Sequence, residues 1–250
     1  MVVDDSKPHH LLDPDDMLRH IDGLPDQIEM AWKHAQSLPM PKVADVTKVL
    51  ICGMGGSAIG GSLLKTLLAD TCAVPIISQR DYALPAFVDS ETLVIGASHS
   101  GNTEETIAAF GEAQRRGAQL VSFSTGGLLA DLSSDLGGTH WPFYYAGQPR
   151  AAIGYSLMMP LALLSRLGLV RNHASDVAEA VELLRQQQIM FQRESLSRAN
   201  PAERLASCIH DRFLIMYAAE PMLPVARRWR GQISENAKAW AQYEELPEMT

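Results

Sequence analysis

The residues best suited to chemistry are three hydroxyls crowded into one turn, in the run Ser98-His99-Ser100-Gly101-Asn102-Thr103-Glu104-Glu105. The turn follows the apolar run Leu93-Val94-Ile95-Gly96-Ala97 and precedes a helical pattern from Thr106 to Arg116. A buried strand therefore gives way to a helix at this point. Backbone N–H groups at a helix start have no partner within the helix and attract anions. Ser98, Ser100 and Thr103 add three neutral donors around the same place. Asn102 or Thr103 can cap the helix, and Glu104 and Glu105 favour its positive end. An ordinary capped helix accounts for one such side chain; three hydroxyls in six residues exceed that need. Gly101 permits close approach of a ligand to the backbone.

A second turn of the same build lies upstream, Gly53-Met54-Gly55-Gly56-Ser57, after the strand-like Lys48-Val49-Leu50-Ile51-Cys52. With Ala58 it satisfies G-x-G-x-x-A, a tolerated form of the dinucleotide fingerprint that is weak when alone. Gln79-Arg80-Asp81 after the next strand makes a ribose-binding acid conceivable. Two features favour a phosphosugar instead: Ser57 suits a terminal phosphate, and a second serine turn follows, which a dinucleotide does not need. The Walker pattern fails, because no lysine follows Gly60-Gly61. Glycines that merely let helix and strand pack closely remain the bland alternative. The favoured reading is that both turns together hold one phosphate of a sugar.

The elements that must position these turns follow a strand-then-helix rhythm from Val46. Strands are expected at 48–52, 74–77, 92–97, 119–123 and 141–144, with helices at 57–69, 103–116 and shortly after Gly126-Gly127. Apolar strand runs separated by helices indicate a parallel sheet covered on both faces. Ligands in such sheets sit at the carboxyl ends of the strands, where both turns fall. Residues 14–37 read as two short helices broken at Gly23-Leu24-Pro25, a packing arm without chemistry. Helices at 151–168 and 174–199 are followed by a strand-like run Arg212 to Tyr217 and a helix over about 224–243, the opening of a second βα series.

The 250 residues allow one or two domains. A chain with 46% apolar and 20% charged residues is an ordinary globular protein. Its net charge of −8 argues against nonspecific nucleic-acid binding. Neither phosphate turn contains Lys or Arg, and Lys65, the nearest upstream cation, reads as a solvated helix residue. Cys52, Cys72 and Cys208 form no C-x-x-C pair, which fits a reducing cytoplasm. The N-terminus is polar, without an apolar signal core. His9-His10 in such a tail makes a poor metal site, and no metal is expected. The apolar stretch Ala151 to Val170 carries Ser156, Pro160, Ser165 and Arg166, so it reads as a core or interface helix and no membrane span is expected.

Cys52 to Gly61, Ser98 to Thr106, Pro149 to Tyr155 and Gln232 to Lys238 together resemble the bifunctional phosphoglucose/phosphomannose isomerase family, built from sugar isomerase (SIS) domains. The resemblance runs over nearly the whole chain, and four motifs in the right order make it specific. It implies an α/β fold: an SIS-type αβα sandwich on a five-stranded, flavodoxin-like parallel sheet, with the start of a second similar domain. The expected boundaries are an N-terminal helical arm over 1–45, a first SIS domain over 46–170, and a linker helix with an incomplete second SIS domain over 171–250. The implied activity interconverts glucose 6-phosphate or mannose 6-phosphate with fructose 6-phosphate through a cis-enediolate, in a cytoplasmic homodimer. Neither nicotinamide nor any other cofactor is required.

The resemblance also assigns residues. Gly56, Ser57, Ser98, Ser100 and Thr103 bind the substrate phosphate, and His99 is a variable lining residue. Arg150 stabilises the enediolate; its place in the first turn of a helix opposes the dipole, although a loop arginine reaching solvent would look the same. Glu235 becomes the base that moves a proton between C1 and C2. On spacing alone, helix Val225 to Tyr243 buries Val225, Trp229, Ile233, Ala237 and Trp240, and Glu235 points roughly 200° from Ile233. That geometry by itself favours a solvated pair of Glu235 with Lys238. The family's ring-opening histidine follows a Pro-Glu motif matching Pro247-Glu248, and the sequence ends at Met249-Thr250. A chain lacking the C-terminal part is thus expected, with little turnover but retained phosphosugar affinity. The alternatives are a non-catalytic phosphosugar sensor and the isomerase half of an amidotransferase, which normally uses a lysine and follows a glutaminase domain.

Overall fold

The computed structural model describes residues 13–191 and 200–248. His9 and His10, and the expected helical segment 192–199, lie outside the described residues. The chain divides into two compact units, Met30–His173 and Met1–Glu29 with Ala174–Thr250. Each is described by itself.

The Met30–His173 unit is built on five parallel strands: β1 (Lys48–Cys52), β2 (Ile76–Gln79), β3 (Thr92–Ala97), β4 (Gln119–Ser124) and β5 (Thr139–Pro142). Their order is β2-β1-β3-β4-β5, the expected flavodoxin-like arrangement. Leu50 pairs with Val94 and Ile95 with Val121. All six residues of β3 are buried, as a central strand covered on both faces requires. The chain leaves β1 to one side to form β2 and returns to the other side as β3. This reversal opens a crevice at the carboxyl ends of β1 and β3.

Helices α1 (Met17–Asp22) and α2 (Leu24–Ser37) precede the sheet. Helix α3 (Gly55–Leu67) follows β1, α4 (Glu104–Arg115) follows β3, and α5 (Leu128–Asp135) follows β4. On one face Leu50, Val94 and Leu120 pack with Phe110 of α4 and Leu129 of α5. On the other, α3 lies over Ile51 and against α6 (Ile153–Arg166). Ten of the fourteen residues of α6 are buried. At roughly 1.5–3 kcal/mol per fully buried large apolar side chain, α6 is a major source of this unit's stability. Among the described residues no helix is long and apolar enough to cross a membrane. The fully buried Trp141 donates its indole N–H to the Pro39 carbonyl at 2.7 Å. Strand β5, at Thr139–Pro142, begins and ends two residues earlier than the apolar pattern suggests.

In the other unit, α7 (Ala174–Phe191) joins the N-terminal helices through Arg185, which reaches Asp26 at 2.9 Å and Glu29 at 2.8 Å. Helix α8 (Pro201–Ile209), which the sequence reading does not anticipate, is capped by Asn200 accepting from the Ala202 N–H. Strand β6 (Leu214–Ala218) then pairs in parallel with β7 (Ala241–Glu245), on either side of α9 (Leu223–Gln232).

The expected helix over 224–243 is corrected here. It stops at Gln232, widens into a π-helical turn over Ile233–Ala237, and ends on Lys238 with φ 54°. The stripe read as buried is not: Trp229 is 46% and Trp240 74% exposed. A helical sequence gives way to a strand because β6 offers an unpaired edge, and tertiary pairing outweighs local propensity. The strand Arg212 to Tyr217 is therefore not alone.

Candidate active site

The β1–α3 turn and the β3–α4 turn meet in the crevice. Ser57 Oγ accepts a hydrogen bond from the backbone N–H of His99 at 3.2 Å, across 42 positions of sequence. Within the second turn, Ser98 Oγ and Thr103 Oγ1 share a hydrogen bond of 2.8 Å. Ser98 Oγ also accepts from the Gly101 N–H at 3.0 Å, and Ser100 Oγ from the Asn102 N–H at 3.2 Å. In these bonds Ser57 and Ser100 act as acceptors, which leaves their hydroxyl protons able to donate. Ser98 is 2% exposed and braces the turn, whereas Ser100 is exposed and Ser57 and Thr103 are half-buried.

The capping differs from expectation in an informative way. Asn102 does not cap α4; its Oδ1 accepts from the Leu128 N–H at 3.0 Å and so caps α5. Thr103 occupies the N-cap position of α4 without a side-chain cap bond, because its hydroxyl is turned to Ser98. Helix α3 likewise starts at Met54 with no side-chain cap. Two neighbouring helix starts thus present backbone donors that no capping side chain takes. Gly101 makes this possible: with φ 72°, a Cβ there would lie 1.7 Å from the Gly126 carbonyl oxygen.

A third segment joins them. A Cβ on Gly56 would lie 2.4 Å from the Pro149 carbonyl oxygen and 3.3 Å from the Arg150 nitrogen. The first turn is therefore in direct contact with the 3-10 turn Pro149–Ala151, which carries half-buried Arg150. Arg150 sits ahead of α6 rather than in its first α-helical turn, so opposition to the dipole no longer argues for its use. Its place against Gly56 does. Gly60 and Gly61 serve packing instead, against the Ser156 backbone and the Ile51 side chain. The glycine-rich run thus has two jobs, split between turn and helix.

Beside these turns stands an aromatic wall that motif reading missed. Phe143 stacks on Tyr155 with centroids 4.9 Å apart, and Tyr145 lies 5.9 Å from Tyr155. The His99 ring meets Phe143 and Tyr145 edge-on at 5.8 and 6.3 Å. Burial pushes its imidazole below the ordinary value, a backbone hydrogen bond with Gly147 acting the other way. His99 is therefore neutral at pH 7. Its neighbours lie on a loop without periodicity, so only the density of Phe143, Tyr144 and Tyr145 signalled them. Arg80 donates to Ser62 Oγ at 2.7 Å and to the Ala58 carbonyl at 3.2 Å, which ties the end of β2 to α3.

Gly56, Ser57, Ser98, Ser100, Thr103 and Arg150 thus belong to one unit and one crevice. Glu235 belongs to the other unit, where it occupies the π-helical turn with its side chain exposed. The pair expected with Lys238 takes another form: Lys238 Nζ donates to the backbone carbonyl of Glu235. The αL conformation of Lys238 turns its side chain back onto that last open carbonyl. Short π segments recur at functional sites. Among the described residues no group of three or more His, Cys, Asp or Glu could hold a metal ion.

A parallel 2-1-3-4-5 sheet with hydroxyl-lined turns at its switch point defines an SIS-type domain. The same fold occurs in the C-terminal domain of glucosamine-fructose-6-phosphate aminotransferase from Francisella tularensis, with a TM-score of 0.68 at 14% identity over 99% of this chain and 72% of that one. The family described as bacterial phospho-glucose isomerase C-terminal SIS domain matches residues 198–250. A bifunctional phosphoglucose/phosphomannose isomerase from Caldicellulosiruptor bescii is 38% identical over 93% of this chain and 69% of its own length. One from Thermoplasma volcanium is 34% identical over 80% and 60%, respectively. The chain belongs to the bifunctional phosphoglucose/phosphomannose isomerase family. It spans 69% and 60% of the lengths of these two relatives.

Proposed function

We propose that the crevice binds the phosphate of a hexose 6-phosphate, and that the family chemistry is aldose–ketose isomerisation of glucose 6-phosphate or mannose 6-phosphate to fructose 6-phosphate. The observation that carries the reading is the meeting of three segments: Ser57 on the His99 N–H, and Gly56 on Pro149-Arg150. A terminal phosphate needs several convergent donors; Gly56, Ser57, Ser98, Ser100 and Thr103 supply backbone N–H groups and hydroxyls. In the open-chain sugar, the Glu235 carboxylate takes the proton from C2 and returns it to C1, while the O2 hydroxyl proton passes to O1, so that C1 becomes a CH2OH group and C2 the carbonyl. The Arg150 guanidinium stabilises the charge that develops on the enediolate oxygen. Only protons move, so the reaction asks for no redox partner. The further expectations of a homodimer and a cytoplasmic setting belong to this same proposal.

Two measurements test it. Calorimetric titration of the 250-residue chain with fructose 6-phosphate should show binding that S57A and S100A each weaken about tenfold, the loss expected for one hydrogen bond to a charged group. A coupled assay for fructose 6-phosphate from glucose 6-phosphate should show the low turnover expected of this chain, and E235Q should lower it further by roughly 10²–10⁴-fold while affinity stays intact. Binding indifferent to both serines would remove the phosphate assignment. Turnover indifferent to E235Q would remove the base.

A further inference from the structure

We infer that Arg228 positions the Glu235 carboxylate, through the gap left by Gly231. The inference rests on Glu235 being the base proposed above. Gly231 lies three residues after Arg228 and four before Glu235. Positions three and four apart are neighbours on a helix surface, so the three form one row, with the glycine in the middle. A side chain at 231 would occupy the surface between positions 228 and 235. The Glu235 carboxylate is folded back toward this gap: a Cβ built on Gly231 would lie 3.8 Å from Glu235 Oε1. The π-helical turn over Ile233–Ala237 sets where Glu235 leaves the helix.

The electrostatics agree with the geometry. Burial disfavours the charged form of the Arg228 guanidinium, and the negative charge acting against that effect is Glu235. The bond Lys238 Nζ makes on Glu235 is to its backbone carbonyl. A half-buried arginine that pairs with an exposed carboxylate restricts the rotamers of the carboxylate more than a solvated lysine would. Arg is also the better positioner, with a planar fork that fixes direction as well as charge. A base that must reach two adjacent carbons in turn benefits from such a restraint. Arg228 acts through Glu235 and is not itself assigned a contact with substrate.

The test compares R228M, R228K, G231A and G231V with the unaltered 250-residue chain. R228M should lower kcat by about tenfold or more and leave KM for glucose 6-phosphate unchanged, because the group it misplaces acts in the transition state. R228K should restore part of the loss. G231A should be mild, since 3.8 Å is ordinary contact, whereas the bulkier G231V should reproduce the kcat loss of R228M. Independently of turnover, thermal shifts of R228M and E235Q should be non-additive in the double variant, as they are for groups that interact. An R228M enzyme with unchanged kcat overturns the inference even if the thermal shifts couple, for the pair would then be structural only. Additive thermal shifts overturn it as well. Failure of the isomerase reading would appear as turnover of the unaltered chain that E235Q leaves unchanged; failure of this inference appears only on comparing R228M with the unaltered chain.

Discussion

Replacing Gly56 by alanine is the most direct perturbation of the proposed phosphate cradle. Gly56 does not need a positive φ, so alanine meets no backbone objection, and the whole effect is steric. The new methyl would stand 2.4 Å from the Pro149 carbonyl oxygen and 2.8 Å from its carbon, where ordinary contact begins at 3.4 Å. Backbone must therefore retreat by about 1 Å. Pro149 cannot simply rotate its carbonyl away, because that oxygen accepts from the Ala152 N–H at 3.2 Å and closes the 3-10 turn. The displacement passes to Arg150, whose nitrogen lies 3.3 Å from the same methyl, or to the start of α3. Losing one or two hydrogen bonds to a charged phosphate, at about 1.5–3 kcal/mol each, weakens binding by at least roughly tenfold. A misplacement of about 1 Å at Arg150 adds as much as 10²-fold to any loss of turnover. Titration calorimetry with fructose 6-phosphate measures the first effect and a circular dichroism melt checks the fold. G111A serves as a control, since a Cβ on Gly111 meets nothing within 4 Å. An unchanged Kd in a folded G56A chain would refute the argument that the first turn and Pro149-Arg150 form one site.

Three further outcomes follow from the same structure. G101A should lower stability by more than about 2 kcal/mol, because a φ of 72° costs a non-glycine residue roughly 1–2 kcal/mol before the 1.7 Å clash with Gly126 is counted; a thermal melt reads it. Burial pushes the Cys52 thiol up to about 12, so at pH 8 a thiol reagent should label exposed Cys208 first and Cys52 only after denaturation. Burial also holds the His99 and His140 imidazoles below their ordinary 6.5 in the folded chain. Above that pH both folded and unfolded states are neutral; below it the unfolded chain takes up protons first, so stability falls as pH drops. Melting temperatures at pH 7.5 and 5.5 should differ less in an H99F and H140N double variant than in the unaltered chain.

The crevice was legible in the sequence because its signals are local. A buried strand, a glycine and several hydroxyls occupy consecutive positions at Ser98–Thr103 and at Gly53–Ser57, and each turn stands where apolar alternation stops. What joins them is not local. The contact of Ser57 with His99 and of Gly56 with Pro149 depends on β1 and β3 lying side by side, which strand order alone decides. Capping was misread for a similar reason: Asn102 precedes α4 in sequence but faces α5 in space. The largest error lay at Ile233–Glu245, where Glu-Asn-Ala-Lys-Ala-Trp-Ala-Gln reads as helix. Nothing in those residues announces that β6 has an edge to fill or that Lys238 reverses the chain with φ 54°.

The polarity of the cradle follows from the charge of the chain that carries it. With a net charge of −8, the protein repels a phosphate dianion at long range. At physiological ionic strength, however, the Debye length is about 8 Å, so that repulsion is largely screened until the ligand is near the surface. Binding is then decided by groups within a few ångströms. Hydroxyls and helix-start N–H groups are well suited to this, because their partial charges are fixed by backbone geometry and need no counterion when the site is empty. Ser98 illustrates the arrangement: it is buried and bonded to Thr103 and Gly101, so protein groups alone brace the turn. A lysine in the same turn would have to be desolvated or paired in the empty state, with Glu104 and Glu105 close by in sequence to capture it. Keeping the cradle neutral and setting one cation, Arg150, at its border on a separate 3-10 turn divides the work. In the proposed reaction the turns hold the phosphate group, which does not change during isomerisation, and the guanidinium is left for an oxygen whose charge does.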